Sequence, residues 1–270
     1  MGFVQMSFAA SQVLGIPIGL FLADKFNWNA TFFMVVILAT AVGLLTLVKL
    51  KPLTEHLKIQ KTKSALQHLW HTIKKKDYRT GYIAIALLSM GGFMLMPFTS
   101  AFLVNNVNIS QSQLPIIFLF TGFASIIVMP IIGKLSDKID KFKLFTIGSI
   151  VASIMIVIYT NMTPLPVWAV IIINMILFMG IMSRMVPATA LNSAVADPQD
   201  RGAYMSINSS LQQMAGGLAS VFAGFVVVQK TKSGPIENFD TLGYIMVGFV
   251  MICLFLVYRV SILVKSKTNN

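Results

Sequence analysis

A chain of 270 residues that is 56% hydrophobic and only 11% charged carries too few polar side chains to cover a soluble domain of its size. Its net charge of +12 would suit a nucleic-acid partner, but the basic residues sit in the breaks between long apolar runs, where they set membrane orientation and meet anionic lipid instead. The runs are apolar nearly all round and lack ten-residue alternating strands, which excludes an amphipathic soluble bundle and an outer-membrane barrel alike.

Eight such runs follow one another, at about 3–23, 29–48, 81–104, 113–132, 144–163, 166–189, 203–228 and 241–258. A bilayer core of roughly 30 Å takes about 20 helical residues, so the chain reads as an all-α membrane protein with eight transmembrane helices. With both termini on the cytoplasmic side, 17 of the 21 Lys and Arg residues fall in cytoplasmic segments, and only Lys25, Lys230 and Lys232 lie opposite. That asymmetry is the positive-inside signature. Arg184 alone lies within a run.

The first run contains Gly15-Ile-Pro-Ile-Gly19, two glycines on one helical face around a proline. Gly15, Pro17 and Gly19 are therefore candidates for close helix packing and a bend. The segment 49–80 is the only long hydrophilic stretch, with nine Lys and Arg residues. Within it Leu66, Leu69, Trp70 and Ile73 recur at helical spacing, predicting an amphipathic helix on the cytoplasmic leaflet. His68 and His71 share a face there, but no thiol or well-placed acid completes a metal site, so solvated histidines are expected and no metal is called for. The single cysteine, Cys253, lies in the last run, so no disulfide forms within the chain.

Between the fourth and fifth runs stands Gly133-Lys-Leu-Ser-Asp137-Lys138-Ile-Asp140-Lys141-Phe-Lys143, a charged turn that is expensive to translocate. This pattern closely resembles the loop motif of the major facilitator superfamily, Gly-x-Leu-x-Asp-Arg/Lys-x-Gly-Arg/Lys-x-Arg/Lys. Asp140 stands where that motif has glycine. The resemblance implies two six-helix bundles joined by a long cytoplasmic loop. Laid on that plan, 49–80 is the central loop and the eight runs are helices five to twelve: 1–48 holds two helices of a partial N-terminal bundle, 81–264 a complete C-terminal six-helix bundle, and 265–270 a cytoplasmic tail. Helices one to four have no counterpart, so a truncated record or a separately encoded part is expected. The glycine-proline run of the first helix looks like the antiporter motif of helix five in exporting members, without its usual Gly-Pro-x-x-Gly-Gly order. The stretches Arg184-Met-Val-Pro187 and Asp197-Pro-Gln-Asp-Arg201-Gly202-Ala-Tyr-Met205-Ser206-Ile-Asn208-Ser209 look like helices ten and eleven of bacterial sugar- and drug-efflux permeases. The likeness implies an integral protein of the bacterial cytoplasmic membrane, exporting a sugar or drug-like solute.

Polar groups inside apolar runs mark cavities, because each is costly in hydrocarbon. In 203–228, Ser206, Ser209, Gln213, Gly216, Ser220 and Gly224 form one stripe, with Asn208 and Gln212 on an adjacent face. Asn174, Arg184, Ser206, Asn208, Ser209, Gln212 and Gln213 are the candidate substrate-cavity residues, and Gly216 and Gly224 are helix-packing candidates. Interhelical packing without a ligand accounts for the same small-polar stripe, and snorkelling accounts for Arg184 as readily as gating does. Gly133, Asp137, Lys138 and Lys141 form a candidate conformational latch, in which the Asp137 carboxylate pairs with a neighbouring cation or helix N-terminus in one state. All nine acids fall outside the runs, so a proton gradient, if it is the coupling source, lacks a buried carboxylate to act on here. No phosphate-binding glycine loop and no nucleophile–base constellation occurs, so neither an enzyme nor a cofactor is expected. The expected partners are the lipid bilayer and a small solute, with protons the coupling ion to test and no obligate protein partner. The competing reading is a non-transporting membrane subunit or fragment, and uptake by the same fold is a close variant.

Overall fold

The computed structural model describes residues 15–50, 65–231 and 234–268. Most of the first predicted span, and residues 51–64 of the hydrophilic segment, lie outside them. Ten α-helices follow: α1 Ile16–Lys25, α2 Trp28–Lys49, α3 Ala65–Lys74, α4 Lys76–Phe93, α5 Thr99–Asn105, α6 Leu114–Lys138, α7 Lys141–Thr160, α8 Val167–Val195, α9 Arg201–Val226 and α10 Phe239–Thr268. Among the described residues, five helical segments are long and apolar enough to cross a membrane: α2, Gln111–Lys138 (α6 with the 3₁₀ turn before it), α7, α8 and Phe239–Lys267 of α10.

The remaining two predicted spans are helical too, for reasons that lower their apolarity. The run 81–104 is divided, because α4 stops at Phe93 and α5 starts at Thr99 across the turn Met94–Phe98. Pro97 accounts for the break: it has no N–H for the Phe93 carbonyl, and its ring clashes with that carbonyl in a continuous helix. The run 203–228 is the single helix α9, whose polar stripe dilutes its hydropathy. Pro130 and Pro187, by contrast, sit inside unbroken α6 and α8.

The charged turn at 133–143 is shorter than its composition suggests. Gly133 to Lys138 continue α6, only Ile139 and Asp140 leave the helix, and Lys141 opens α7. Asp140 caps α7, its side chain accepting from the Lys143 N–H at 3.1 Å, and it pairs with Lys265 at 2.8 Å. An aspartate can do both, which explains how the turn closes without the family's glycine. Helix α10 runs on through Lys265 and Lys267 to Thr268.

α4 lies at the centre of the bundle, against α9, α10 and α8. α8 packs against α7 and α6, α10 closes on α7, and α3 lies across the lysine-rich ends of α9 and α4. Lipid is as apolar as a leucine side chain, so close backbone approach and van der Waals contact hold such helices together. Gly180 shows the approach: a Cβ there would stand 3.0 Å from the Ala152 backbone nitrogen across the α7–α8 crossing. Gly148 lies against Ser183 and Arg184 at the same crossing, and Gly81 lies against Tyr204 and Asn192 where α4 meets α9. Two aromatic-rich cores result. One stacks Phe102 on Phe239 at 4.1 Å near the α5 end, and the other stacks Tyr82 on Tyr204 at 4.8 Å near the lysine-rich end. α2 packs on α1 and buries no side chain.

Candidate functional site

A cavity of about 670 Å³ opens between α5, the start of α6 and α8, at the end of the bundle away from the lysine-rich turns. Its wall mixes Thr99, Ser100, Asn105, Gln111 and Thr121 with apolar surface from Leu114, Phe118 and Phe178. A second cavity of about 100 Å³ lies deeper, between α4, α7 and α8, and reaches Arg184. The two share Met96, Thr99 and Phe178, so one wall continues into the other. Thr99, the first residue of α5 after the break at Pro97, stands at this junction.

Among the predicted cavity residues, Arg184 and Asn174 stand on α8 facing this interior. Arg184 is 3% exposed and so does not reach solvent as snorkelling requires; its guanidinium lies over the Phe145 ring at 5.4 Å. Asn174 is fully buried and donates to the Thr121 hydroxyl at 2.9 Å, which couples it to the larger cavity. The α9 candidates lie apart from both. Ser206, Ser209 and Gln213 are exposed, Gln212 is half-buried and Asn208 is buried with neither amide atom hydrogen-bonded among the described residues. Gly216 meets α4, where a Cβ would approach the Phe93 ring at 3.0 Å, whereas Gly224 faces open space. Gly19 meets α2, its carbonyl accepting from the Thr31 hydroxyl at 3.0 Å; Gly15 precedes α1, and Pro17 lies in the first described turn.

Gly133 is half-buried on α6, and Asp137 and Lys138 are exposed at its end. Asp137 makes no ion pair within 4.0 Å among the described residues, and Lys141, half-buried, opens the next helix. The dense charge network at this end lies elsewhere. Asp200 receives Lys75 at 2.5 Å, the Tyr78 hydroxyl at 2.9 Å and faces His68 Nε2 at 3.1 Å. Asp197 receives Lys267 at 2.9 Å and Lys75 at 3.2 Å and shares the single Tyr78 hydroxyl proton with Asp200, its own oxygen also 2.9 Å away, while its N–H donates back to that hydroxyl oxygen at 3.0 Å. The ammonium groups of Lys75 and Lys267 also approach the Tyr78 ring, at 5.1 and 5.6 Å. Thus His68 is paired, not simply solvated.

This network sets its own titration. The Lys267 bond, then the Tyr78 and Lys75 bonds, hold the Asp197 carboxyl at about 2. For Asp200 burial pushes upward, but Lys75 and Tyr78 outweigh it and the carboxyl lies below its ordinary value. Lys75 is held above the usual ammonium range, chiefly by its bond to Asp200. Four segments are tied together: α3, the start of α4, the α8–α9 connection and the end of α10.

Sequence reasoning missed this network because its partners lie as much as 132 positions apart. It also missed Thr99, Thr121 and Tyr159 around the cavities. Thr121 and Ser125 did carry a signal, an i, i+4 hydroxyl pair inside an apolar run, and both prove buried.

The Major Facilitator Superfamily model matches this sequence over residues 1–220 and again over 82–269. The chain belongs to that superfamily. It is thus an integral membrane protein of an all-α transporter family, and its members move solutes rather than catalyse reactions. The chain is similar to the uncharacterized MFS-type transporter YbcL of Bacillus subtilis (strain 168), 24% identical over 254 residues. The similarity takes in 93% of this chain and 63% of YbcL, so the chain spans a little under two thirds of that relative's length. Among the described residues of this superfamily member, no group of three or more His, Cys, Asp or Glu side chains is placed to hold a metal ion.

Proposed function

We propose that the chain is a secondary active transporter that moves a small organic solute by alternating access, in the direction of export. The observation that carries this reading is the continuous wall of the two cavities, with hydroxyl and amide groups set in apolar surface. Pockets of roughly 300–1,000 Å³ with few polar groups in apolar walls suit sugar-sized or drug-like solutes. In the proposed arrangement eight helices cross the cytoplasmic membrane of a bacterium, with both termini and the lysine-rich turns in the cytoplasm. Residues 81–264 form the C-terminal six-helix bundle, and 1–48 form part of the N-terminal one.

Asp137 acts as a latch in this reading, pairing in one state with a cation or helix N-terminus on another segment, with Gly133, Lys138 and Lys141 shaping the turn. Its exposure fits a group that is free in the state described. The α9 stripe of Ser206, Ser209, Gln212 and Gln213 faces outward and lines the transport path when the two bundles meet. The coupling ion is a proton carried by a group other than a carboxylate of these helices.

Efflux from loaded cells is the test. A panel of sugars and drug-like solutes is followed with and without an uncoupler, in cells that express the protein and in cells that lack it. Expression should speed loss of at least one solute, and the uncoupler should abolish the gain. Equal retention of every solute would refute transport. Unchanged efflux in both Asp137→Ala and Asp137→Asn would remove the latch alone.

A further inference from the structure

Among the described residues, Arg184 carries the only formal charge buried well inside a predicted span, and nothing described balances it. Seven of the nine carboxylates have described side chains, and none lies within 4.0 Å of its guanidinium; the other two, Asp24 and Glu55, belong to the end of α1 and the lysine-rich segment. Its Nε is buried without a hydrogen bond among the described residues. Phe145 offers only a ring face, and the Cys253 thiol, within bonding reach, offers a weak acceptor.

A buried cation kept without a partner is costly, so its retention calls for an anion that is present for part of the cycle. A second donor lies at the same cavity. The Tyr159 hydroxyl is fully buried and has no hydrogen bond among the described residues. Thr99 stands beside it and gives its own proton to the Leu95 carbonyl at 2.9 Å, so towards Tyr159 it offers only a neutral hydroxyl acceptor, weaker than an anionic oxygen. Arg184 and Tyr159 both line the cavity of about 100 Å³, which holds several waters or one anionic group, since a single water needs roughly 10–15 Å³ of such space. The larger cavity beyond Thr99 and Phe178 has no charged wall and accepts an uncharged body.

We infer that the solute is an organic anion, its carboxylate or phosphate group received by Arg184 and Tyr159 and its uncharged body lodged in the larger outer cavity. This assignment rests on the transport reading above and narrows it. It excludes cationic drugs, which would meet an uncompensated positive charge in the bundle. A guanidinium and a phenol are both donors, matching the acceptor-only oxygens of an ionised carboxylate.

The probes are benzoate, phenyl phosphate and benzamide, the last an uncharged isostere of the first. Each is titrated against the purified protein in detergent while the thermal midpoint is followed, because a ligand that binds only the folded state raises it. Benzoate or phenyl phosphate should raise the midpoint, and benzamide should not. The two anions separate carboxylate from phosphate recognition. Arg184→Gln should weaken the anion effect about ten- to a hundredfold, the loss expected for a charge-assisted bond, and Arg184→Lys less. Without ligand, Arg184→Gln should melt no lower than the parent, because it removes an unpaired buried charge. Tyr159→Phe deletes one oxygen and should weaken the anion effect about three- to tenfold, and it serves as the test if the arginine variants do not fold. Equal effects of benzoate and benzamide, or an anion effect unchanged in Arg184→Gln or Tyr159→Phe, would overturn the inference. Efflux distinguishes the two readings: movement of neutral solutes alone leaves transport standing without an anion site, whereas anion binding with no efflux of any solute leaves the site standing without transport.

Discussion

Replacing Asp200 by asparagine tests whether the charge network clamps the lysine-rich end. The carboxylate takes bonds from Lys75 and Tyr78 and faces His68, and it is 7% exposed. The loss is partial, since Asp197 still receives Lys75 at 3.2 Å and Tyr78 at 2.9 Å. What disappears is the negative charge of the acceptor in the His68 and Lys75 contacts. Both side chains are one-third exposed, so solvent screening reduces each contribution. A charge-assisted bond contributes about 1.5–3 kcal/mol, and with that reduction the substitution should cost about 2 kcal/mol. The weakened step is the undocking of α3, held to this site by His68. Thr72 on α3 is fully buried, and Cys253, the only native cysteine, is buried as well, so Thr72→Cys supplies a single reporter thiol. Its maleimide labelling rate in detergent should rise about 30-fold when Asp200→Asn is added, as a factor of ten corresponds to about 1.4 kcal/mol. Asp137→Asn, a change to an exposed residue, should leave the rate alone. A rise of less than about threefold would refute the clamp.

The same network predicts a pH dependence. Asp197 is held at about 2 and Asp200 below its ordinary value, so their stabilisation is complete above the usual carboxylate value of 3.8 and is lost as pH falls toward 2. The thermal midpoint in detergent should therefore be level from pH 7 to about 5 and fall below pH 4, and Asp197→Asn with Asp200→Asn should flatten that fall. An identical acid limb in the double variant would contradict the assignment. At the α4–α9 crossing, Gly81→Ala forces a methyl group into Tyr204 and Asn192, which hydrogen-bond each other at 2.7 Å, and should cost about 1–3 kcal/mol. Gly217→Ala, with open space around the new carbon, should be neutral or slightly stabilising in the same melting assay.

The helical runs were legible because membrane helices announce themselves through twenty-residue apolarity, a local property. The charged turn was legible as a motif but not as a shape: that Gly133 to Lys138 stay helical depends on Asp140 capping the next helix and reaching Lys265 on α10. Arg184 was legible as an intruder in hydrocarbon, while its neighbours Phe145 and Cys253 come from other helices. The division of 81–104 was written in Pro97, which apolar counting passes over. The Asp197–Asp200 network was beyond reach, because each charge reads as an ordinary loop residue until folding brings α3 and α10 to it.

The division of α4 from α5 has a mechanical consequence. α5 is fastened to the far side of the molecule: the Asn106 amide just beyond it bonds both ways with the Ile236 backbone, at 2.9 and 2.8 Å, and Phe102 is stacked on Phe239. α4 is fastened instead to α9 and α10 nearer the lysine-rich end. The polypeptide between Met94 and Phe98 is thus a joint between two parts anchored in different places. Any motion that narrows the mouth of the larger cavity must carry Ile236 along with α5, or else give up that pair of amide bonds.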